Sequence, residues 1–210
     1  RALEKTVSVI PADIPVVGDA KRGDIGSTAE AYASALYDYW GFDAITCNPF
    51  AGYDSVTPFL RDGKGVFFWC RSSNPGARDF QDVIVSSPDS GPGVPYYEYL
   101  ARTIGSWRTE ADIGLVVGAT YPSELKRVRD VCPNLPILVP GVGSQGGMLE
   151  ASVANGIDSE GAGILISASR QILYASSNPD GYAIAAKHAA SELRNSINEA
   201  LLGQGSTWMG

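Results

Sequence analysis

The chain has 210 residues, 44% of them apolar and 19% charged, with a formal net charge of −7. That is length and apolar content enough for one domain with a sizeable core, and the acidic balance excludes non-specific attraction to nucleic acid or to an anionic membrane. A phosphate ligand would have to be held by few, local positive groups. The three cysteines, Cys47, Cys70 and Cys132, form no C-x-x-C pair, and two of them sit in apolar runs, so buried free thiols in a reducing cytosol are expected. The single histidine, His188, has no second histidine with which to share a metal, which argues against a zinc site. No apolar run approaches the ~18–20 residues that span a bilayer, and the first residues lack the shape of a signal peptide. The text opens on Arg1, as if inside a helix, and an N-terminal portion is expected to be missing.

Short apolar runs alternate with amphipathic stretches. Residues 14–20 form a run ending in charge, followed by a helix over 27–40 with Ser27 or Thr28 as its N-cap. A strand over 43–49, a short helical return over 55–62 and a strongly β-prone run over 65–73 come next. After a longer connection holding Pro88, Pro92 and Pro95, a helix is expected over 96–107. The pattern then tightens: strand 113–120, helix 123–132, strand 136–143, helix 147–156, strand 163–170 and a long final helix over 180–202. The strands are apolar throughout rather than alternating, as expected where both faces of a parallel sheet are covered. The class is therefore parallel α/β. An open doubly wound sheet and a closed (β/α)8 barrel compete for it, and six β–α units are two short of a barrel.

In such folds sites form at the C-terminal ends of strands. In GDAKRGDIGST, residues two apart on a strand share a face, so Asp19 and Lys21 stand together, and Asp24 either returns beside the ammonium or reaches a neighbouring subunit. Carboxylates around a lysine favour its charged form, and such a lysine can protonate a carbanion. The bland alternative is a surface salt bridge of little worth. In VPGVGSQGG, Gly141, Gly143 and Gly146 fit G-x-G-x-x-G by spacing. The acids that follow, Asp158 and Glu160, come before the next strand rather than at its end, where a dinucleotide-binding acid belongs. A glycine turn offering N–H groups to a phosphate, with Gln145 adding an amide, fits equally well. So does a tight turn without ligand. Arg170, at the end of the last strand, is placed to clamp a phosphate or to form an ordinary salt bridge. Ser72, Ser73 and Asn74 in CRSSNPGA either read a polar heterocycle or lead a turn into Pro75 and Gly76, and Asn48 and Pro49 in TCNPF share that ambiguity.

Together, Asp19-x-Lys21-x-x-Asp24-Ile25 with TCNPF, RSSNPGA, PGVGSQGG and SASRQILYAS resembles the orotidine 5′-phosphate decarboxylase family, in its bacterial second subgroup, nearly end to end. Hexulose-phosphate synthases and keto-gulonate-phosphate decarboxylases share D-x-K-x-x-D but not the SNPGA and PGVGSQGG patterns. The resemblance implies a TIM (β/α)8 barrel with about six of its eight units in this chain, in one domain over 1–210 that is incomplete at its N-terminus. It implies a cytoplasmic homodimer using neither metal nor organic cofactor, which turns orotidine 5′-phosphate into uridine 5′-phosphate and carbon dioxide. By motif, Lys21 is the proton donor to C6, Asp19 sits by the departing carboxylate, and Asp24 and Thr28 reach the other subunit's ribose. Ser73 reads the pyrimidine, Gln145 and Arg170 hold the phosphate, and Gly143 and Ser169 share in binding substrate. An aspartate and a lysine of the family's first two strands precede the position of Arg1, and Lys5 lies in the wrong element to replace that lysine. The rival readings are a phosphate-ligand-binding barrel or fragment without turnover, and a nicotinamide-dependent oxidoreductase built on the glycine loop at 141–146.

Overall fold

The computed structural model describes residues 2–86, 92–143 and 148–206. The chain forms two compact units, Arg1–Trp69 with Trp107–Leu115, and Cys70–Ser106 with Val116–Gly210.

The first unit opens with helix α1 (Ala2–Ser8), which buries none of its residues. Strand β1 (Val17–Arg22), helix α2 (Gly26–Ser34), strand β2 (Ala44–Cys47), helix α3 (Tyr53–Val56) and the first part of strand β3 (Gly65–Arg71) follow. β1 pairs with β2 and β2 with β3, both parallel. All four residues of β2 are buried, as expected of a strand covered on both faces. The helix expected over 27–40 is realised in two parts, because its last turn widens into a π-helical segment, Ala35–Tyr39. Leu36 and Tyr37 in that segment are both buried, and the Tyr37 hydroxyl donates to the carbonyls of Phe59 and Gly65, each at 3.2 Å. Neither Ser27 nor Thr28 caps α2. The cap position is Ile25, in extended conformation and without a side-chain bond, so the expected cap is corrected by two to three residues. Gly18 is required by packing, since a Cβ there would stand 2.4 Å from the Phe42 ring.

In the second unit the end of β3 leads through a 3₁₀ turn, Pro75–Ala77, to helix α4 (Arg78–Gln81). A two-residue antiparallel ladder then pairs β4 (Ile84–Val85) with β5 (Val94–Pro95). Helix α5 (Tyr96–Ser106) precedes strand β6 (Asp112–Val117), whose last two residues belong here. The remaining order is α6 (Pro122–Val131), β7 (Ile137–Pro140), α7 (Leu149–Gly156), β8 (Ile164–Ser167), α8 (Arg170–Leu173) and α9 (Tyr182–Gly203). β7 and β8 are parallel and in continuous register from Ile137↔Ile164 to Pro140↔Ser167. Pro122 occupies the first turn of α6, where its missing N–H costs nothing.

β8 departs from the expectation that every strand is covered on both faces. None of its four residues is buried and Leu165 is exposed; among the described residues β8 ends the strand order, with a neighbouring strand on one side only. No helix among the described residues is long and apolar enough to cross a membrane.

Candidate functional site

In the first unit, the polar end of β1 is built on an irregular backbone. From Gly18 to Arg22 the strand takes four steps while its partner takes two, from Ile45 to Cys47, so β1 bulges. Within the bulge Lys21 has φ +47°, the only positive φ of a non-glycine residue among those described. A long side chain rarely adopts that region, and when it does the surroundings enforce it.

The bulge brings the side chains of Asp19 and Lys21 together. Lys21 Nζ lies 2.5 Å from both carboxylate oxygens of Asp19. The pair is solvent-accessible, with side-chain exposures of 44% for Lys21 and 62% for Asp19, so its worth lies in placement rather than stability. Thr46, fully buried on β2, donates its hydroxyl to Asp19 Oδ1 at 2.8 Å and accepts the Lys21 backbone N–H at 2.9 Å. Sequence reasoning passed over Thr46. Only its place inside TCNP, at the end of an apolar strand, hinted at a role.

Asp24 is half-buried and does not stand beside the ammonium. Its Oδ1 accepts the N–H of Ile25 at 2.8 Å, and no ion pair joins it to Lys21 among the described residues. Thr28 is exposed on the first turn of α2. The TCNPF segment forms a turn, with Asn48 Oδ1 accepting the N–H of Phe50 at 3.1 Å. The Asn48 N–H bonds the Arg22 carbonyl at 2.6 Å and so ties that turn to the end of the bulge.

In the second unit, Ser73 follows β3 in a tightly held turn. Its carbonyl accepts the Thr120 hydroxyl at 3.0 Å. Ser72 is engaged by Gln81, whose Oε1 accepts the Ser72 N–H at 2.9 Å and Arg71 Nη1 at 3.1 Å. Arg71 is fully buried, stacks 4.0 Å over the Tyr121 ring and lies 3.0 Å from Asp82. The Asn74 carbonyl closes the 3₁₀ turn by accepting the Ala77 N–H. Of the two readings of SSNPGA, the turn is therefore realised at Asn74 to Ala77, and Ser73 is the residue presented just before it.

Gly141 and Gly143, after β7, have φ of +93° and +73°, so both need glycine. Gln145 and Gly146 lie outside the described residues. Gly143 lines a cleft of about 300 Å³ with Gln171, Leu149, Glu192 and Ser196. The Glu192 side chain on its wall is exposed. Ser169 and Arg170 are both exposed at the start of α8. Among the described residues Arg170 forms no ion pair, so the ordinary salt-bridging role is not what its guanidinium performs there. Asp158, the acid a dinucleotide fingerprint would need, is spent in a turn before β8, where its Oδ1 accepts the N–H groups of Glu160 and Ala162. Among the described residues no three metal-ligating side chains cluster.

The parallel strands and the helices that connect them place the protein in the α/β-barrel class. The model of the orotidine 5′-phosphate decarboxylase / HUMPS family matches residues 4–185, and the chain belongs to that family. It is 48% identical over 189 residues to the orotidine 5′-phosphate decarboxylase of Paracidovorax citrulli, covering 89% of this chain and 68% of that one. It is 49% identical over 193 residues to the enzyme of the same name from Polaromonas naphthalenivorans, covering 91% and 67%. Among solved structures, the Leishmania donovani OMP decarboxylase aligns with a TM-score of 0.78 at 40% identity, over 93% of this chain and 73% of that one. The fold is thus that of the decarboxylase barrels, with six parallel strands among the described residues, and the relatives are decarboxylases, that is, lyases.

Proposed function

We propose that the protein decarboxylates orotidine 5′-phosphate to uridine 5′-phosphate and carbon dioxide in pyrimidine nucleotide synthesis, with Lys21 as the proton donor. The observation that carries the reading is the Lys21–Asp19 pair at the bulged end of β1 in a chain of the decarboxylase family.

Breaking the bond from C6 to the carboxylate carbon leaves the electron pair on C6 as carbon dioxide departs. No conjugated sink takes that charge, so a preorganised positive group must stabilise it, and such electrostatic terms are usually the largest in catalysis. The Lys21 ammonium supplies the charge and then the proton, ending as a neutral amine that regains a proton from solvent. Asp19 holds the ammonium and lies by the departing carboxylate. Arg170, with Gln145 and the N–H groups around Gly143, takes the phosphate; Ser73 takes the pyrimidine, and Ser169 adds to the binding. Phosphate contacts remote from C6 can be spent on raising the rate. Asp24 and Thr28 serve the ribose of a partner subunit in a homodimer, and neither metal nor organic cofactor takes part. The whole chain acts as one barrel-type domain. Three buried, unpaired thiols suit a reducing cytoplasm.

Lys21→Ala tests the reading. The variant should keep its fold by circular dichroism and lose turnover by about a thousandfold or more. Near-normal turnover would remove Lys21 from the chemistry. A protein that binds uridine 5′-phosphate, raising its Tm, while the unaltered chain makes no product would be a binding barrel instead.

A further inference from the structure

We infer that Thr46 is a positioning residue for the reaction, its single hydroxyl coupling the backbone of Lys21 to the carboxylate of Asp19. The inference rests on the functional reading above and adds a residue to it.

The physical case starts from what a hydroxyl can do. It has one proton to give and two lone pairs to offer. Thr46 uses its proton on Asp19 Oδ1 at 2.8 Å and a lone pair on the Lys21 N–H at 2.9 Å. Asp19 and Lys21 are two residues apart on a strand that bulges, and the bulge holds Lys21 in the left-handed region. A left-handed lysine is strained and persists only where neighbours enforce it. The bond from the Lys21 N–H to Thr46 is such an enforcement, because in that conformation the N–H leaves the regular ladder between β1 and β2. The same oxygen turns Asp19 so that both of its carboxylate oxygens face Nζ.

Thr46 is itself held rigidly. It is buried within β2, between Ile45 and Cys47, and the strand is paired in register with β3, Thr46 opposite Phe67. Lys21 and Asp19 are largely exposed, so they cannot rely on packing for their orientation. A buried side chain on a neighbouring strand is therefore the fixed point from which an exposed pair is aimed. Reactions that depend on such aim lose about a hundredfold in rate for a displacement near 1 Å.

The test compares Thr46→Val, which keeps shape and removes the hydroxyl, with Thr46→Ser, which keeps the hydroxyl and removes the methyl. Thr46→Val should lower kcat for orotidine 5′-phosphate by about ten- to a hundredfold while the KM and the affinity for uridine 5′-phosphate stay within about twofold. Thr46→Ser should restore kcat to within a few-fold of the unaltered protein. Crystal structures of both provide a readout that needs no turnover: in Thr46→Val, Lys21 should leave the left-handed region and the Lys21–Asp19 contact should lengthen, and in Thr46→Ser neither should change. An unaltered kcat in Thr46→Val overturns the inference. So does a serine variant whose kcat falls by about ten- to a hundredfold, which would make the methyl's packing the cause, and this outcome can be read even if Thr46→Val fails to accumulate. Should the unaltered protein make no product, the functional reading falls, while the two crystal structures still decide whether Thr46 holds the pair.

Discussion

Gly118 lies so close to Ser73 that a Cβ built on it would stand 2.7 Å from both the Cα and the Cβ of Ser73 and 2.8 Å from its nitrogen. Gly118 follows β6, and its N–H bonds the Arg71 carbonyl at 2.8 Å. The backbone at the end of β6 is thus the floor under the Ser73 turn. Two of the three close atoms are main chain, which cannot swing aside as a flexible side chain can. Gly118→Ala should displace Ser73 and cost about 1–3 kcal/mol through overpacking. With Ser73 on the pyrimidine, affinity for uridine 5′-phosphate should fall at least about tenfold, while affinity for ribose 5-phosphate, which lacks the base, should hold. Titration calorimetry with the two ligands checks this, and an equal loss for both would place Ser73 elsewhere.

Arg170 is exposed and forms no ion pair among the described residues. If its partner is the substrate phosphate, Arg170→Ala should weaken binding of uridine 5′-phosphate by about 1.5–3 kcal/mol, roughly ten- to a hundredfold. Binding of uridine itself should be unaffected. A matching loss with uridine would count against the phosphate clamp.

Arg129 is the opposite kind of arginine. It is buried on α6 and donates to five carbonyls, those of Cys132, Pro133, Leu135, Gly156 and Gly163, at 2.7–3.1 Å. These carbonyls end α6 and α7 and precede β7 and β8, so one guanidinium ties four chain segments within the second unit. Arg129→Met should cost at least about 3 kcal/mol, because several buried acceptors lose their donor together. Arg129→Lys, with three donors for five acceptors, should recover part of that. Denaturant unfolding followed by circular dichroism measures both, and a methionine variant of unchanged midpoint would contradict the role.

Burial pushes the Cys47 thiol from an ordinary 9.0 up to about 12. It also raises those of Cys70 and Cys132, each of which points at a backbone carbonyl. A group whose pKa is higher folded than unfolded contributes stability that is complete below the unfolded value and is lost as pH rises towards the folded one. Stability should therefore decline between about pH 9 and 12 as the unfolded thiols ionise. Below pH 9 the native protein should react with a thiol reagent only as fast as it opens. Rapid labelling of any of the three in native protein at pH 8 would contradict their burial.

Much of this architecture was legible from the chain alone. The apolar runs over 43–49, 65–73, 113–120, 136–143 and 163–170 each coincide with most of a strand; for the buried β2 the reason is that a strand covered on both faces has no polar side to interrupt it, whereas β8 carries an apolar run without that cover. The D-x-K-x-x-D spacing led to Asp19 and Lys21, which do meet, but through a bulge that the two-residue repeat of a regular strand does not foresee. Ends of elements were less legible: α2 starts at Gly26, behind an extended Ile25 that makes no side-chain cap bond, and not at a serine or threonine cap. Asp24 shows the limit of spacing, which brings a residue into the neighbourhood of a lysine without saying which way its carboxylate turns.

What the amino-acid order determined by itself was periodicity and chemistry: which runs become strands, which glycines must turn, and which charged groups fall at strand ends. Only the tertiary structure decided that Lys21 adopts a left-handed backbone, that Thr46 holds it together with Asp19, and that Gly118 lies under Ser73. The physical reason is that those relationships join residues 25 to 45 positions apart through single atoms. Parallel pairing between strands sets such contacts to within a fraction of an ångström, and no local propensity carries that information.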